Sequence, residues 1–382
     1  MKILVVGAGI GGLGAAIALR RRGHQVDVVE VKPDFSVYGV GISQPANGLR
    51  ALRALGVLDE VVAAGFVFDY ADYYDGDGEL IVHVPSGFGD AATPPRIALS
   101  RVDLHQILIA ATERHEVKIR YGTTVESFTD LADVADVVCS DGRRERYELV
   151  AAFDGIRSAT RRTLFGAGYD ATYSGFGVFR ILLPRPAELT GARVYQTLGA
   201  KAGFMPLAAE WMYLYLVVDD PEGAIHDPAE FPRIMRERMA PFAASSLPGR
   251  ARDGLGAETA GIVWSPISDV TLPLPWFRGH VGVLGDAAHA CAPHLAQGAA
   301  MALEDAVVLA EELSGAGSLA QRLDRFQQRR FPRAKFVQDV SHAILAAEME
   351  VDESNYRAAY AEMRAHLRQQ SLQADRRLNE PA

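Results

Sequence analysis

Four apolar residues, Ile3-Leu4-Val5-Val6, run directly into Gly7-Ala8-Gly9-Ile10-Gly11-Gly12, and that junction constrains the fold more than any other stretch of the chain. A short β-branched run without polar alternation is what a strand covered on both faces looks like, as in a parallel sheet. A helical pattern follows through Leu13, Ala16, Ile17 and Leu19 to Arg20-Arg21-Arg22, cations suited to the negative end of a helix, and Gly23 stops it. The next strand, Gln25 to Glu30, ends in an acid. Gly7, Gly9 and Gly12 therefore spell G-x-G-x-x-G with a strand before, a helix after and an acid closing the following strand. Gly7 permits the tight turn, Gly9 lets a pyrophosphate approach the backbone, and Gly12 lets the helix pack closely on the sheet. The helix N-terminus adds amides and partial positive charge, and Glu30 can accept the hydroxyls of an adenosine ribose. The signature specifies a bound dinucleotide without separating NAD from FAD. Gly39-Val40-Gly41, Gly76-Asp77-Gly78, Gly175-Phe176-Gly177 and Gly315-Ala316-Gly317 all lack the third glycine, so a second dinucleotide has to dock without a domain of its own.

The 382 residues allow two or three domains. Lys+Arg 39 against Asp+Glu 48 leaves a net charge of −9, which provides no general positive field for nucleic acid or an anionic membrane. No run approaches the ~18 apolar residues of a membrane span. The two cysteines, Cys139 and Cys291, suggest neither a disulfide framework nor a dithiol pair. Ile3 to Val6 is too short for a signal peptide, so a cytoplasmic location is expected.

Further along, the pattern at Leu49, Leu52 and Leu55, then Leu58, Val61 and Val62, predicts two short helices stopped by Gly56 and Gly65. Phe66 to Pro95 is aromatic and turn-rich, the texture of antiparallel strands. Ser100 is an N-cap candidate, with Asp103 in the third helical position. Val134 to Ser140, Asp141-Gly142 and Arg143 to Ala152 read as a hairpin. Tyr173 to about Val263 reads as a sheet, and His280 to Leu284 as another buried strand. A helix spans Ala299 to Leu313, and Pro332 is expected to kink or split the charged helical segment after Ser318. The basic cluster Arg322 to Arg333 reads as a solvated or interdomain helix face.

Three motifs stand in one order: Gly7-x-Gly9-x-x-Gly12 with Glu30; Asp154-Gly155-x-x-Ser158-x-x-Arg161; and Gly285-Asp286-Ala287-Ala288-His289-x-x-x-Pro293. On these the sequence resembles the single-component (class A) FAD-dependent aromatic hydroxylases, the para-hydroxybenzoate hydroxylase-like family, over about residues 1 to 335. The resemblance implies an α/β fold in which a Rossmann-like FAD-binding domain (1–68, 96–170 and 270–320) is interleaved with a mainly antiparallel β-sheet substrate domain (69–95 and 171–269). C-terminal helices (321–382) follow. It implies tight, non-covalent FAD on Gly7, Gly9, Gly12, Glu30, Arg101, Val125, Asp154 and Asp286. Gly41 and Ile42 match the loop beside the flavin ring, and Pro293 with Gln297, Gly298 and Ala299 matches the segment over its other side. The resemblance further implies that Asp154 and Arg161 order the loop past which NAD(P)H approaches. Two departures stand out: Ala296 replaces the first glycine of the usual Gly-Gln-Gly, and Phe153 replaces the small residue before Asp154-Gly155.

The implied reaction is NAD(P)H- and O₂-dependent hydroxylation of a small or medium aromatic or heteroaromatic, phenol-like substrate through a flavin C(4a)-hydroperoxide. The cofactor carries the hard chemistry, so few catalytic side chains are expected. A base that deprotonates a phenol would help, and His294, His289, Tyr213 and Tyr215 are candidates, with His289 read as structural or flavin-adjacent. His294, Pro293, Tyr213 and Arg180 are the expected catalytic residues. Arg180, Lys201, Phe204, Met205, Tyr213 and Tyr215 are the expected substrate contacts. Arg180 or Lys201 either pairs with a carboxylate or phenolate or solvates an exposed strand face, and the aromatics serve either pocket or core. No metal site is expected, because His289 and His294 lack a third ligand. A monomer or homodimer is expected. The rivals are a reductase or halogenase-like FAD enzyme, though W-x-W-x-I-P and a redox cysteine pair are absent, and a non-catalytic flavin redox sensor.

Overall fold

The computed structural model describes residues 1–34, 40–85, 89–220, 226–349, 369, 373–374 and 376–382. Parts of the expected C-terminal helical segment (350–368, 370–372 and 375) and the strand-region residues 86–88 and 221–225 lie outside the described residues. Six strands form one sheet in the order Phe277–Arg278, Val281–Val283, Leu149–Ala152, Lys2–Val6, Gln25–Glu30 and Ile119–Tyr121. All its pairs are parallel except the edge pair Phe277–Arg278 with Val281–Val283. Ile3, Leu4 and Val5 are fully buried, as a strand covered on both faces requires. Lys2–Val6 lies between Gln25–Glu30 and Leu149–Ala152, so strand order reverses there and a crevice opens beyond the strand ends.

Helix Ile10–Arg21 leaves that crevice and packs on helix Gly298–Leu313, where a Cβ on Gly14 would stand 3.0 Å from Leu303. Helices Ala46–Leu55 and Leu58–Ala64 follow, the first stopped by Gly56 at φ +79°. Ser100 caps helix Arg101–Arg114, its hydroxyl accepting from the amides of Val102 and Asp103. The second large sheet has seven strands, in the order Val263–Asp269, Thr172–Pro184, Trp211–Asp219, Ala200–Pro206, Ala192–Thr197, Tyr70–Tyr74 and Leu80–Pro85. It is antiparallel except for Ala192–Thr197 beside Tyr70–Tyr74.

Three expectations are corrected. The hairpin's second arm ends at Tyr147, because the charged alternation of Arg144–Tyr147 gives way after Glu148 to the wholly apolar Leu149–Ala152, which leaves to pair in parallel with Lys2–Val6. Pro332 does not split its segment: one helix runs Leu319–Met349 through it. The arginine cluster is not simply a solvated face, since Arg330 is fully buried and Arg333 nearly so.

Candidate active site

At the crevice the glycines are set by contact distance. Gly7 has φ +98°, and a Cβ there would meet the Phe153 carbonyl oxygen at 2.5 Å; one on Gly12 would stand 1.9 Å from the Gly7 carbonyl. A Cβ on Gly9 would touch nothing within 4 Å, so this is the turn of the loop with open space beside it. Glu30 reaches back to the loop. Its carboxylate accepts from the Ala8 amide at 2.8 Å and the Lys32 amide at 3.0 Å, while His105 Nε2 donates to the Ala8 carbonyl at 2.6 Å. Replacing Glu30 with alanine is expected to weaken FAD binding about tenfold, through loss of charge-assisted hydrogen bonds. Fluorescence titration of the apoprotein with FAD measures it.

The second motif fastens the third. Asp154 Oδ2 accepts from the Thr160 amide at 3.1 Å, and Ser158 caps helix Ala159–Phe165 through the Arg161 amide at 2.8 Å. The buried Arg161 guanidinium donates to the carbonyls of Ile156 at 2.8 Å and Ala287 at 3.0 Å, bolting the loop onto the Gly285-Asp286 turn. Phe153, the unusual residue, lays its ring against Gly11, where a Cβ would stand 2.8 Å away.

A cavity of about 1310 Å³ opens from this crevice to the seven-stranded sheet, larger than the ~300–1,000 Å³ of ordinary ligand pockets and roomy enough for a dinucleotide with a second molecule. Of the expected cofactor residues Gly9, Gly41, Ile42, Arg101, Asp286, Pro293, Gln297, Gly298 and Ala299 line it. Gly7, Gly12, Glu30, Asp154 and Val125 are not among the lining residues, and Val125 sits in a strand opposite Cys139. Helix Gly298–Leu313 points its N-terminus into the cavity with no acid in its first turn, so its positive end is available to an anionic group. Ala296 enters it at φ +53°, the left-handed conformation that the usual glycine adopts more easily.

From the sheet, Arg180, Lys201, Met205, Tyr213 and Tyr215 line the cavity, and His294 lines it from the turn Pro293–Leu295. Phe204 does not. Strand neighbours face opposite ways, so Met205 turns to the cavity while Phe204 is fully buried on the other face against Tyr195. Arg180 Nε donates to the Tyr213 hydroxyl at 2.9 Å and its Nη1 to Ser265 Oγ at 2.5 Å. Burial pushes the Tyr213 hydroxyl above the ordinary tyrosine range, opposed by Arg180. Among the described lining residues Arg96, Arg101, Arg180 and Lys201 are cationic and Asp286 alone is anionic.

Beneath the lining lies a buried polar network, most of whose members were not expected from the sequence as site residues. Gln297 and Asn47 exchange side-chain hydrogen bonds at 2.9 and 3.1 Å, and Asn47 also donates to Glu304 at 3.0 Å. Arg333 and Arg330 both reach Glu304 at 2.7 Å, and Arg330 reaches Asp305 at 2.7 Å. Asp305 accepts from the Gly285 amide at 2.9 Å and from His289 Nε2 at 2.7 Å, which makes His289 a brace rather than a lining residue. The signal was two adjacent acids, Glu304 and Asp305, in the middle of a helix that is otherwise apolar from Gly298 to Ala310, which must be paired if buried. Burial likewise pushes the Cys291 thiol up to about 12, so it is no nucleophile.

These residues fit FAD. A glycine turn open at Gly9, the N-terminus of helix Ile10–Arg21 with no acid in its first turn, and Asp154 Oδ1, buried with no protein partner, form a cradle for a pyrophosphate and its sugars. The FAD binding domain family matches residues 1–248 and 258–341. The chain is 33% identical over 352 residues to 2-heptyl-3-hydroxy-4(1H)-quinolone synthase of Pseudomonas aeruginosa, covering 89% of this chain and 88% of that one. It is 30% identical over 368 residues to 6-hydroxynicotinate 3-monooxygenase of Pseudomonas fluorescens, covering 89% and 90%. Klebsiella pneumoniae HpxO, solved with FAD and uric acid, shares the fold with TM-score 0.87 at 24% identity, over 99% and 96% of the two chains. The chain belongs to the FAD binding domain family, as one of its FAD-dependent monooxygenases that consume NAD(P)H and O₂.

Proposed function

We propose that the substrate is a small or medium aromatic or heteroaromatic ring bearing a phenolic or carboxylate oxygen, and that Arg180 receives that oxygen. The observation that carries the reading is Arg180 itself: its guanidinium lines the cavity, held from two sides by Tyr213 and Ser265, amid an excess of cations. Bound FAD supplies hydride acceptance from NAD(P)H and oxygen activation; the protein orients the ring and excludes water. Arg180 stabilises the ring oxygen as an anion, which enriches the ring for electrophilic attack. Because the Tyr213 oxygen already accepts from Arg180, its proton is directed elsewhere, and its raised pKa makes it a donor to the substrate rather than a base. His294 is the remaining candidate for a base on the cofactor side, beside Pro293. Glycine-loop and Gly285-Asp286 residues hold the cofactor, with the region of 69–95 and 171–269 as substrate domain. A cytoplasmic monomer or homodimer completes the reading.

The test is NADH and NADPH oxidation by FAD-loaded protein with a panel of phenols, benzoates and N-heteroaromatics, scoring ¹⁸O₂ incorporation and H₂O₂ together. Ring-stimulated oxidation with labelled product is expected. Stimulation by neutral rings alone would overturn the anion subsite. Tyr213→Phe is expected to lower kcat/KM about tenfold, the loss of one hydrogen bond to a charged oxygen, read from steady-state oxidation at varied substrate.

A further inference from the structure

We propose that the cavity has a second, apolar compartment that takes a hydrocarbon substituent on the substrate ring, so that the preferred substrates are amphiphilic rather than compact. The inference rests on the substrate reading above. On the cavity face of the seven-stranded sheet the lining changes character along the strands. Arg180, Tyr213 and Tyr215 form the polar end; two and four residues before Arg180, Val178 and Phe176 take over, and Val217 stands opposite Val178 in register. At ~3.3 Å per residue, Phe176 lies about 13 Å from Arg180 along the strand. Lys201, paired with Val217 across the next strand, sets a cation beside this apolar end, and Gln196, paired in turn with Lys201, also lines the cavity.

The C-terminal helix continues the apolar surface. Phe336, Val340, Ala343 and Ile344 are spaced i, i+4, i+7 and i+8, one stripe of helix Leu319–Met349, and all four line the cavity. The helix is held at the sheet edge by Gln338, which donates to the carbonyls of Val270 at 2.5 Å and Ala290 at 3.1 Å, and by His342, 2.6 Å from Asp269. Leu345 joins Val178, Val217 and Ile267 in one buried cluster, joining the stripe to the apolar end of the sheet. Ala374 adds to the lining from the far side, in a segment anchored by buried Leu378, whose carbonyl accepts from Arg333 at 2.5 Å. Arg377 covers the outer side, its guanidinium 4.2 Å from the centre of the Phe336 ring. The solvent side of the same helix carries Lys335 and Asp339, so the apolar stripe is not a general property of the segment. Val178 and Val217 are already buried against Leu345, whereas Phe336, Val340 and Ile344 are half-buried and Ala343 is exposed, and covering that remaining apolar surface with a ligand is favourable. Phe176, Val178, Val217, Phe336 and Val340 fall within the residues matched by the family, while Ala343, Ile344 and Ala374 lie beyond them.

The test is binding of 4-alkylphenols from methyl to heptyl to the FAD-loaded protein, read from perturbation of the flavin absorbance. Affinity is expected to rise about two- to fourfold per methylene, the transfer of one CH₂ out of water, before reaching a plateau. Ala343→Trp fills the compartment and Ile344→Ser makes it polar; both are expected to flatten the dependence on chain length, while Lys335→Ala on the solvent side keeps it. FAD content and circular dichroism verify that each variant folds. No dependence on chain length in the native protein, or the native slope retained in both compartment variants, would overturn the proposal. A chain-length slope without any stimulation of NAD(P)H oxidation would leave the compartment supported and count against the oxygenase-substrate reading on which it was built.

Discussion

An Arg330→Met variant is expected to lose about 3–5 kcal/mol of stability, because removing one partner leaves buried carboxylates without their counter-ion. Arg330 is fully enclosed and serves Asp305, Glu304 and the Met301 carbonyl at once. Asp305 would keep His289 and the Gly285 amide, and Glu304 would keep Arg333 and Asn47, but two negative charges would share what remains. Urea unfolding followed by circular dichroism measures the loss. A change below ~1 kcal/mol would show that the network contributes little. Acid provides an independent reading. Charge partners hold the Asp305 carboxyl down at about 2 despite its burial. A depressed carboxyl stabilises the fold fully above the ordinary carboxylate range, and that contribution fades as pH falls from about 4 towards 2. The native protein is therefore expected to weaken across that interval, with a shallower slope in Arg330→Met. The variant also loosens Glu304 and, through Asn47, the Gln297 segment at the cavity. Weaker FAD retention is expected to accompany the stability loss.

That network also shows where reading the sequence stopped. The glycine loop was legible because backbone geometry dictates it: only glycine tolerates a carbonyl 1.9 Å from where its Cβ would be, as at Gly12, and the flanking strand and helix declare themselves through local periodicity. Asp286 was legible as a cavity-lining position through an ordered motif, and Gln297 and Gly298 through the family resemblance. Arg330 and Arg333 were not, because a basic run on a helix looks solvated unless the acids it meets are known, and Glu304 lies 26 and 29 residues away. Phe204 failed for a different reason. Adjacent strand residues face opposite sides, and with the register unknown, Phe204 and Met205 could not be told apart. The apolar stripe from Phe336 to Ile344 shows the right spacing, but periodicity alone does not say whether a face meets core or cavity.

Arg180→Met is expected to lower kcat/KM for an anionic ring about 100- to 1,000-fold, the consequence of taking one member from a desolvated charge pair. The magnitude follows from the setting. Arg180 is tethered by Tyr213 and Ser265, so little conformational freedom is lost when a substrate oxygen arrives, and its planar fork can meet a carboxylate with two parallel bonds. Arg180→Lys should recover only part of the loss, since an ammonium keeps the charge but cannot hold Tyr213 and Ser265 while meeting the substrate. FAD content read from absorbance verifies the fold of each variant. The comparison that decides the role is between an anionic ring and a neutral analogue of the same size. A loss several-fold larger for the anion assigns Arg180 to the charged oxygen. Equal losses would make it a support for Tyr213 and the sheet, and a selective loss in Lys201→Met would move the anion to that residue. Hydrogen peroxide formed per NAD(P)H adds a second criterion, because a ring that is bound but misplaced stimulates reduction without receiving oxygen. Arg180→Met is expected to raise that fraction, as positioning fails before binding does.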